Sequence, residues 1–227
     1  MGWRRYAIYF TPDGALADRG AAWLGWDAAA GEAREPPCVP GLPRPAGEIT
    51  ARPRKYGFHA TLKPPFRLAA GRSEVELDRA LAAFAEARLA VQLDGLEVAR
   101  LGRFVALRPV GETGALEALA AAVVEVFDPF RAPLSEEEIA RRRAARLTPR
   151  QEALLARWGY PYVMEEFRFH MTLTGPLAPD ELERTAAVLA EHFAPVLPAP
   201  FVVGGVTLLG EDERGRFHHL HRYALTG

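Results

Sequence analysis

The sequence predicts an α+β protein that forms one bilobal domain over residues 1–227. Segments with the two-residue period of strands alternate with segments that have the 3.6-residue period of helices. The second half of the chain loosely repeats the elements of the first, and one pentapeptide pattern occurs once in each half. We therefore expect one lobe over about residues 1–110 and a second over about residues 111–227, each contributing a strand to a shared cleft.

The first half contains strands and helices whose limits follow from turn and capping residues. The pair Pro64 and Pro65 is expected to end one strand, and Gly102 marks a hairpin turn. The predicted elements are a strand over 5–10, a helix over 14–30, a strand over 58–62, a helix opened by the capping box of Ser73 and Glu76, and strands over 91–98 and 103–110.

A proline-rich segment over residues 31–55 separates the first helix from the next strand. A loop of this length is either a lid or binding segment, or a rigid meander on the surface. The sequence leaves both interpretations open.

The second half has a similar set of elements, with an added helical segment over 135–159 that breaks strict symmetry. Ser135 and Thr148 each begin a capping box there. The run Arg141, Arg142, Arg143 is predicted to be a solvated helix face with i,i+4 ion pairs, and not a nucleic-acid patch. The other predicted elements are a helix over 116–127, a strand over 167–174, a helix over 180–193, and strands over 201–209 and 216–225.

The repeated pattern reads Phe58-His59-Ala60-Thr61-Leu62 in the first half and Phe169-His170-Met171-Thr172-Leu173 in the second. In both copies apolar and polar residues alternate. A strand would therefore bury the apolar side chains and place histidine and threonine on the opposite face, about 7 Å apart along the strand. Two such strands could face one small ligand.

Two basic residues fall on the same polar faces by parity. Lys63 continues the face of His59 and Thr61, and Arg168 precedes His170 on its face. Both are candidates for holding a phosphate or phosphonate group. Lys63 could instead be a surface lysine at a strand end, and Arg168 could pair with Glu165 or Glu166.

Composition limits the class of protein and its partners. With 49% hydrophobic residues the chain can bury a core, and its formal net charge of −1 lacks the basic excess of proteins that bind long nucleic acids. Cys38 is the single cysteine, so no internal disulfide can form. We expect a cytoplasmic protein without a membrane span, because the N-terminal apolar run is too short for a signal peptide and no apolar stretch approaches the roughly 20 residues that cross a bilayer.

The histidines near the C-terminus suggest a different site. His219 and His221 alternate onto one face of the last predicted strand and could supply half of a metal site. No third ligand is identifiable, so a tract of exposed strand histidines is the preferred interpretation.

The paired histidine-x-threonine-hydrophobic strands resemble the two-histidine (2H) phosphoesterase superfamily, which includes RNA 2′,3′-cyclic phosphodiesterases and the 2′-5′ RNA ligase group. The resemblance spans the whole chain. The longer strings over residues 54–66 and 167–175 resemble the branch found beside phosphonate-utilisation genes. The resemblance implies two pseudo-symmetric lobes around a central groove, each with a small antiparallel sheet packed by helices. It also implies His59, Thr61, His170 and Thr172 as catalytic residues.

These residues suit a metal-independent phosphoesterase that hydrolyses a cyclic phosphodiester or related small phosphate ester, as expected in phosphonate metabolism. One imidazole would accept a proton from water and the other would give one to the leaving oxygen, while the threonines would donate to the phosphate oxygens. No cofactor or metal is expected, and which histidine is the base stays open. The alternatives are an enzyme that processes RNA ends and a non-catalytic protein that binds nucleotides or phosphonates.

Overall fold

The computed structural model describes residues 2–227 and consists of short helices arranged around β-sheet. The strands are β1 Tyr6–Phe10, β2 Trp26–Asp27, β3 Glu32–Ala33, β4 Ala60–Phe66, β5 Val91–Leu93, β6 Gly95–Leu101, β7 Phe104–Val110, β8 Met171–Thr172, β9 Phe201–Val203, β10 Gly205–Glu211 and β11 Phe217–Ala224. The helices are α1 Gly14–Leu24, α2 Ala46–Ile49, α3 Glu74–Glu86, α4 Gly114–Val126, α5 Glu136–Arg143, α6 Pro149–Trp158 and α7 Pro179–Phe193.

The main sheet has seven strands in the order β11-β10-β1-β4-β8-β7-β6, and every neighbouring pair is antiparallel. The predicted α+β class is therefore confirmed. The two motif strands, β4 and β8, are neighbours in the middle of this sheet and pair at Ala60 and Met171. This pairing joins a four-stranded group to a three-stranded group.

The strand order does not follow the expected division of the chain near residue 110. β6 and β7 come from the first half of the sequence but extend the sheet from β8, whereas β10 and β11 come from the second half and extend it from β1. Pairing partners satisfy the backbone groups of the central strands wherever they come from in the sequence. The two halves of the chain thus exchange strands.

Helices cover one face of this sheet and bury the core there. α3 packs against β10 and β11, α4 packs against β4, and α7 packs against β6 and β7. The stripe of Leu77, Leu81 and Phe84 predicted for α3 is buried, and its capping box at Ser73 is formed. The opposite face of the sheet is left to carry the motif histidines.

Several predicted boundaries in the first half are wrong. The strand predicted over 91–98 is divided into β5, which pairs with β9, and β6 of the main sheet, and two other boundaries have a clear local cause. α1 ends at Leu24, not at residue 30, because Gly25 adopts a left-handed conformation (φ 80°) and donates its N–H to the carbonyl of Ala21. β4 does not stop at Pro64 but continues to Phe66. Prolines are tolerated there because two register shifts interrupt the β1–β4 ladder around them, and β8 pairs with β4 only at Ala60.

The predicted loop over 31–55 contains the short strand β3, helix α2 and a 3-10 turn at Arg54–Tyr56. Whether it moves as a lid stays a prediction. No helix within residues 2–227 combines the length and the apolar character needed to cross a bilayer.

Candidate active site

The pairing of β4 with β8 decides where the motif side chains point. Ala60 lies opposite Met171, and both are fully buried on the helix-covered face. The residues on either side of this pair must point to the other face, so the antiparallel register sets His59 against Thr172 and Thr61 against His170. The two histidines are then diagonal neighbours, a relation that places Cβ atoms about 7–8 Å apart.

Each histidine ring is anchored in the same way. Nδ1 of His59 is 2.9 Å from the carbonyl oxygen of Gly57, and Nδ1 of His170 is 2.8 Å from that of Arg168. A carbonyl can only accept, so in both rings Nδ1 carries the proton and donates it. The neutral form of each ring therefore leaves Nε2 with a free lone pair. Nε2 of His59 is 3.2 Å from the hydroxyl oxygen of Thr61, which can donate to it.

Burial makes both histidines harder to protonate. The pKa of His59 is lowered from 6.5 to about 4, chiefly by desolvation; the bond to Gly57 opposes this shift, and the nearby His170 and His219 contribute to it. Desolvation also lowers the pKa of His170, again opposed by its main-chain bond. Because both pKa values are lowered, both rings are neutral at pH 7, rather than one charged and one neutral.

An aromatic wall supports His59. The Tyr9 ring stacks on the imidazole with centroids 3.8 Å apart and an angle of 17° between planes. Tyr9 is buried on β1, where it lies opposite Thr61, and Tyr56 packs at 6.1 Å from the same imidazole. Sequence reasoning missed both tyrosines. The alternation of β1 could have placed Tyr9 on one face, but only the register with β4 brings it to His59.

The motif residues border a groove of about 570 Å³ on the open face of the sheet. His59, Thr61 and Thr172 line it directly. His170 is outside this lining set and packs beside the lining residue Phe104, with ring centroids 5.6 Å apart. The remaining lining includes cationic and aromatic side chains from distant segments: Arg5, Arg52, Lys55, Tyr56, Arg141, Arg142, Tyr160 and Tyr162.

Lys63 does not reach this groove. Its side chain is 2% exposed, and Nζ donates to the carbonyl of Val124 at 3.1 Å and lies 3.6 Å from Asp128. The cause is an extra residue in β4 between Thr61, which faces Tyr9, and Lys63, which faces Ile8. This register shift turns Lys63 into the core, where it caps the C-terminal end of α4. Neither the phosphate-binding role nor the surface alternative describes it.

Arg168 is exposed, but its guanidinium is bound to the main chain. Nη1 donates to the carbonyls of Glu165 at 2.9 Å and Phe167 at 2.6 Å. It does not line the groove, and the carboxylate of Glu165 pairs with Arg150 instead. A phosphate-binding role would require Arg168 to leave these carbonyls.

The histidines of β11 do not form half of a metal site. Leu209 lies opposite His219 and Leu208 lies opposite His221, with a register shift between them. Adjacent residues of β10 point to opposite faces, so the two histidines do as well. Within residues 2–227 no group of three potential metal-ligating side chains comes together.

The charged helix α5 differs from its prediction in one respect. Its capping box at Ser135 and Glu138 is formed as expected. However, Arg141 and Arg142 line the groove, and Arg143 pairs with Glu152 of α6 rather than within its own helix. No local pattern signals this arrangement, because the helix packs over the groove through tertiary structure.

Curated relatives of this chain are longer proteins. The chain is 43% identical over 218 residues to "Ribose 1,5-bisphosphate phosphokinase PhnN" of Janthinobacterium sp. (strain Marseille). The aligned region covers 93% of this chain and 48% of that protein. It is 37% identical over 221 residues to the protein of the same name from Laribacter hongkongensis (strain HLHK9), covering 96% of this chain and 51% of that protein. The chain thus spans about half the length of these relatives.

Solved structures align over the whole chain, though loosely. E. coli LigT in its apo form covers 100% of both chains at 18% identity and a TM-score of 0.46. TT0787 of Thermus thermophilus covers 98% of both chains at 20% identity and a TM-score of 0.41.

The two histidine-x-threonine strands lie side by side in one α+β sheet, which is the arrangement that the resemblance to the 2H superfamily implies. The family described as "Protein of unknown function (DUF1045)" matches residues 61–218, which include most of both motif strands, and the chain belongs to this family.

Proposed function

We propose that this protein is a phosphoesterase that hydrolyses a cyclic phosphodiester, or a related small phosphate ester, with two histidines as base and acid. The observation that carries the proposal is the antiparallel pairing of Ala60 with Met171. It puts two imidazoles and two threonine hydroxyls on one face of the sheet, beside a groove that carries several cationic side chains.

The rings are suited to divide proton transfer between them. His59 has a pKa lowered to about 4 and stays neutral, so its Nε2 is the base that takes a proton from the attacking water. His170 is the acid. A bound phosphate anion would raise its pKa and let Nε2 carry the proton that the leaving oxygen needs. As water attacks, a P–O bond to the new hydroxyl forms and the bond to one ester oxygen breaks.

The threonines would hold the reacting phosphate. Thr172 lines the groove, and Thr61 has its hydroxyl 3.2 Å from Nε2 of His59. When a phosphate enters, Thr61 would turn its hydroxyl to a non-bridging oxygen and free the lone pair of Nε2 for water. Both hydroxyls then donate to oxygens on which charge sits in the transition state.

The names of the curated relatives point to phosphorylated ribose. The chain has no G-x-x-x-x-G-K-[ST] sequence of the kind that cradles nucleotide phosphates, since neither of its two lysines, Lys55 and Lys63, follows a glycine. We therefore assign the phosphokinase activity in those names to the part of the relatives that this chain does not match. A ribose cyclic phosphate is then a suitable first substrate, in line with a role in phosphonate metabolism.

The test is turnover with EDTA present of three substrates: ribose 1,2-cyclic phosphate, a 2′,3′-cyclic mononucleotide and a short RNA that ends in a 2′,3′-cyclic phosphate. We expect the first two to be hydrolysed, and His59→Gln and His170→Gln each to lose about 10²- to 10⁴-fold in rate while remaining folded. Preference for the RNA would favour end processing. Binding without turnover would favour the non-catalytic alternative, and activity restored only by zinc would contradict the metal-free scheme.

A further inference from the structure

The groove is lined by two chemically different sets of side chains. His59, Thr61 and Thr172 belong to the region of the motif strands, whereas Arg141 and Arg142 of α5 and Tyr160 of the segment over 160–162 lie outside the sheet and form its second wall. At about 570 Å³ the groove falls within the size range of sites for small organic ligands and is much larger than one phosphate group. A cyclic phosphate at the histidines would leave the second wall free to contact the rest of the ligand.

The two arginines on this second wall lie near the negative charge of Glu138 but do not form an ion pair with it. Their neighbour Arg143 pairs with Glu152 at 3.0 Å, and neither of these two residues lines the groove. Glu138 lines the groove beside them, but its carboxylate is held by Arg67 at 3.1 Å and accepts from the main-chain N–H of Ser135 at 2.8 Å. Across residues 2–227, Arg141 and Arg142 form no ion pair with any carboxylate.

Arg142 is also held in a defined orientation. Its guanidinium carbon lies 4.4 Å from the centre of the Tyr160 ring, and the side chain is half-buried. Burial lowers the pKa of Arg142; the nearby Tyr160 and Glu138 oppose this effect, and the positive charges of Arg141 and Arg5 add to it. A cluster of like charges with partial burial is unfavourable, and a bound anion relieves it. A guanidinium stacked on a ring presents its edge N–H groups, whose geometry matches phosphate.

We propose that Arg141, Arg142 and Tyr160 form a second anion subsite that binds a phosphate monoester at the far end of the substrate from its cyclic phosphodiester. The substrate class is thus a small phosphorylated compound with two phosphate groups, one cyclic and one terminal. This inference rests on the proposed function for the role of the first phosphate. The second subsite takes no part in bond breaking and determines specificity.

The test compares ribose 1,2-cyclic phosphate with the same compound carrying a 5-phosphate. The wild-type protein should have a kcat/KM about 10- to 100-fold higher for the 5-phosphorylated compound, the range expected for charge-assisted hydrogen bonds. Arg141→Gln with Arg142→Gln should remove this preference, because kcat/KM should fall at least about tenfold more for the 5-phosphorylated compound than for the unphosphorylated one. Arg143→Gln, on the same helix but outside the groove, is the matched control and should keep the wild-type preference for the 5-phosphorylated compound. Equal loss for both compounds, or no preference in the wild type, would overturn the subsite.

A binding measurement separates this inference from the proposed function. If neither compound is hydrolysed, the phosphoesterase proposal fails, but ribose 5-phosphate should still bind the wild type more tightly than ribose in calorimetry. The double substitution should then weaken its binding by about tenfold or more, and Arg143→Gln should not. Unchanged affinity in the double variant would refute the subsite whatever the reaction is.

Discussion

The buried position of Lys63 predicts an unusual dependence of stability on pH. Its side chain is 2% exposed, and burial lowers its pKa from 10.5 to about 8, against a smaller opposing effect of Asp128. The unfolded chain keeps the ordinary value, so between these two pH values it binds more protons than the folded protein. The cost of burying the charge is therefore fully present below about pH 8 and disappears as the pH rises towards 10.5.

The size of this effect follows from the two pKa values. At about 1.4 kcal/mol per pKa unit, the full difference corresponds to about 3 kcal/mol. Between pH 7 and pH 10, the free energy of unfolding of the wild type should rise by about 2 kcal/mol relative to that of Lys63→Met. Other groups titrate alike in both proteins and cancel in the comparison.

Urea unfolding of the two proteins at pH 7, 8, 9 and 10 measures this directly. Lys55→Met, which removes the exposed lysine of the groove, is the control, and its free energy of unfolding should change with pH in the same way as that of the wild type. Parallel curves for Lys63→Met as well would refute the buried charge. Turnover by Lys63→Met should stay within about threefold of wild type, because no substrate contact is lost. A large rise in KM would instead support the phosphate-binding role that strand alternation predicted for Lys63.

Three further predictions concern the candidate site. The plot of kcat/KM against pH should be bell-shaped with its maximum below pH 6.5. The rate falls at low pH because His59 is protonated near pH 4, and it falls at higher pH because His170 loses its proton at its lowered pKa. A maximum at or above pH 7 would contradict the assigned roles. Thr172→Val keeps the shape of the side chain but removes a hydrogen-bond donor from the groove, so kcat should drop about 10²- to 10³-fold without a change in melting temperature. A loss below tenfold would exclude contact between Thr172 and the reacting phosphate. Tyr9→Leu removes the ring stacked on His59 and should lower kcat/KM about tenfold, whereas Tyr9→Phe keeps the ring and should stay near wild type; equal losses in both would point to the hydroxyl instead.

Local sequence signals were sufficient for much of the fold. Capping boxes at Ser73, Ser135 and Thr148 are all formed, and the motif strands alternate as their pattern predicts around Ala60 and Met171. These features depend on residues within a few positions of each other. The strand order could not be predicted in this way, since the pairing of β1 with β10 or of β7 with β8 joins segments that are distant in the sequence.

The errors about Lys63 and about His219 with His221 have one physical cause. Parity along a strand holds only while the ladder is regular, and a register shift of one residue moves all later side chains to the other face. Such a shift lies between Thr61 and Lys63 in β4 and between His219 and His221 in β11. Neither position has a glycine, which would have indicated an irregularity in the strand.

The shift in β4 also explains how one short strand serves two purposes. Before it, His59 and Thr61 face the groove; after it, Leu62 and Lys63 are both buried, and Lys63 reaches the end of α4. A regular strand would have sent Lys63 into the groove beside Thr61, adding a mobile cation next to a base whose pKa is already low. Its charge would lower the pKa of His59 further and weaken it as a proton acceptor. The irregular strand therefore keeps Lys63 away from His59, and the cationic side chains that line the groove all come from outside β4.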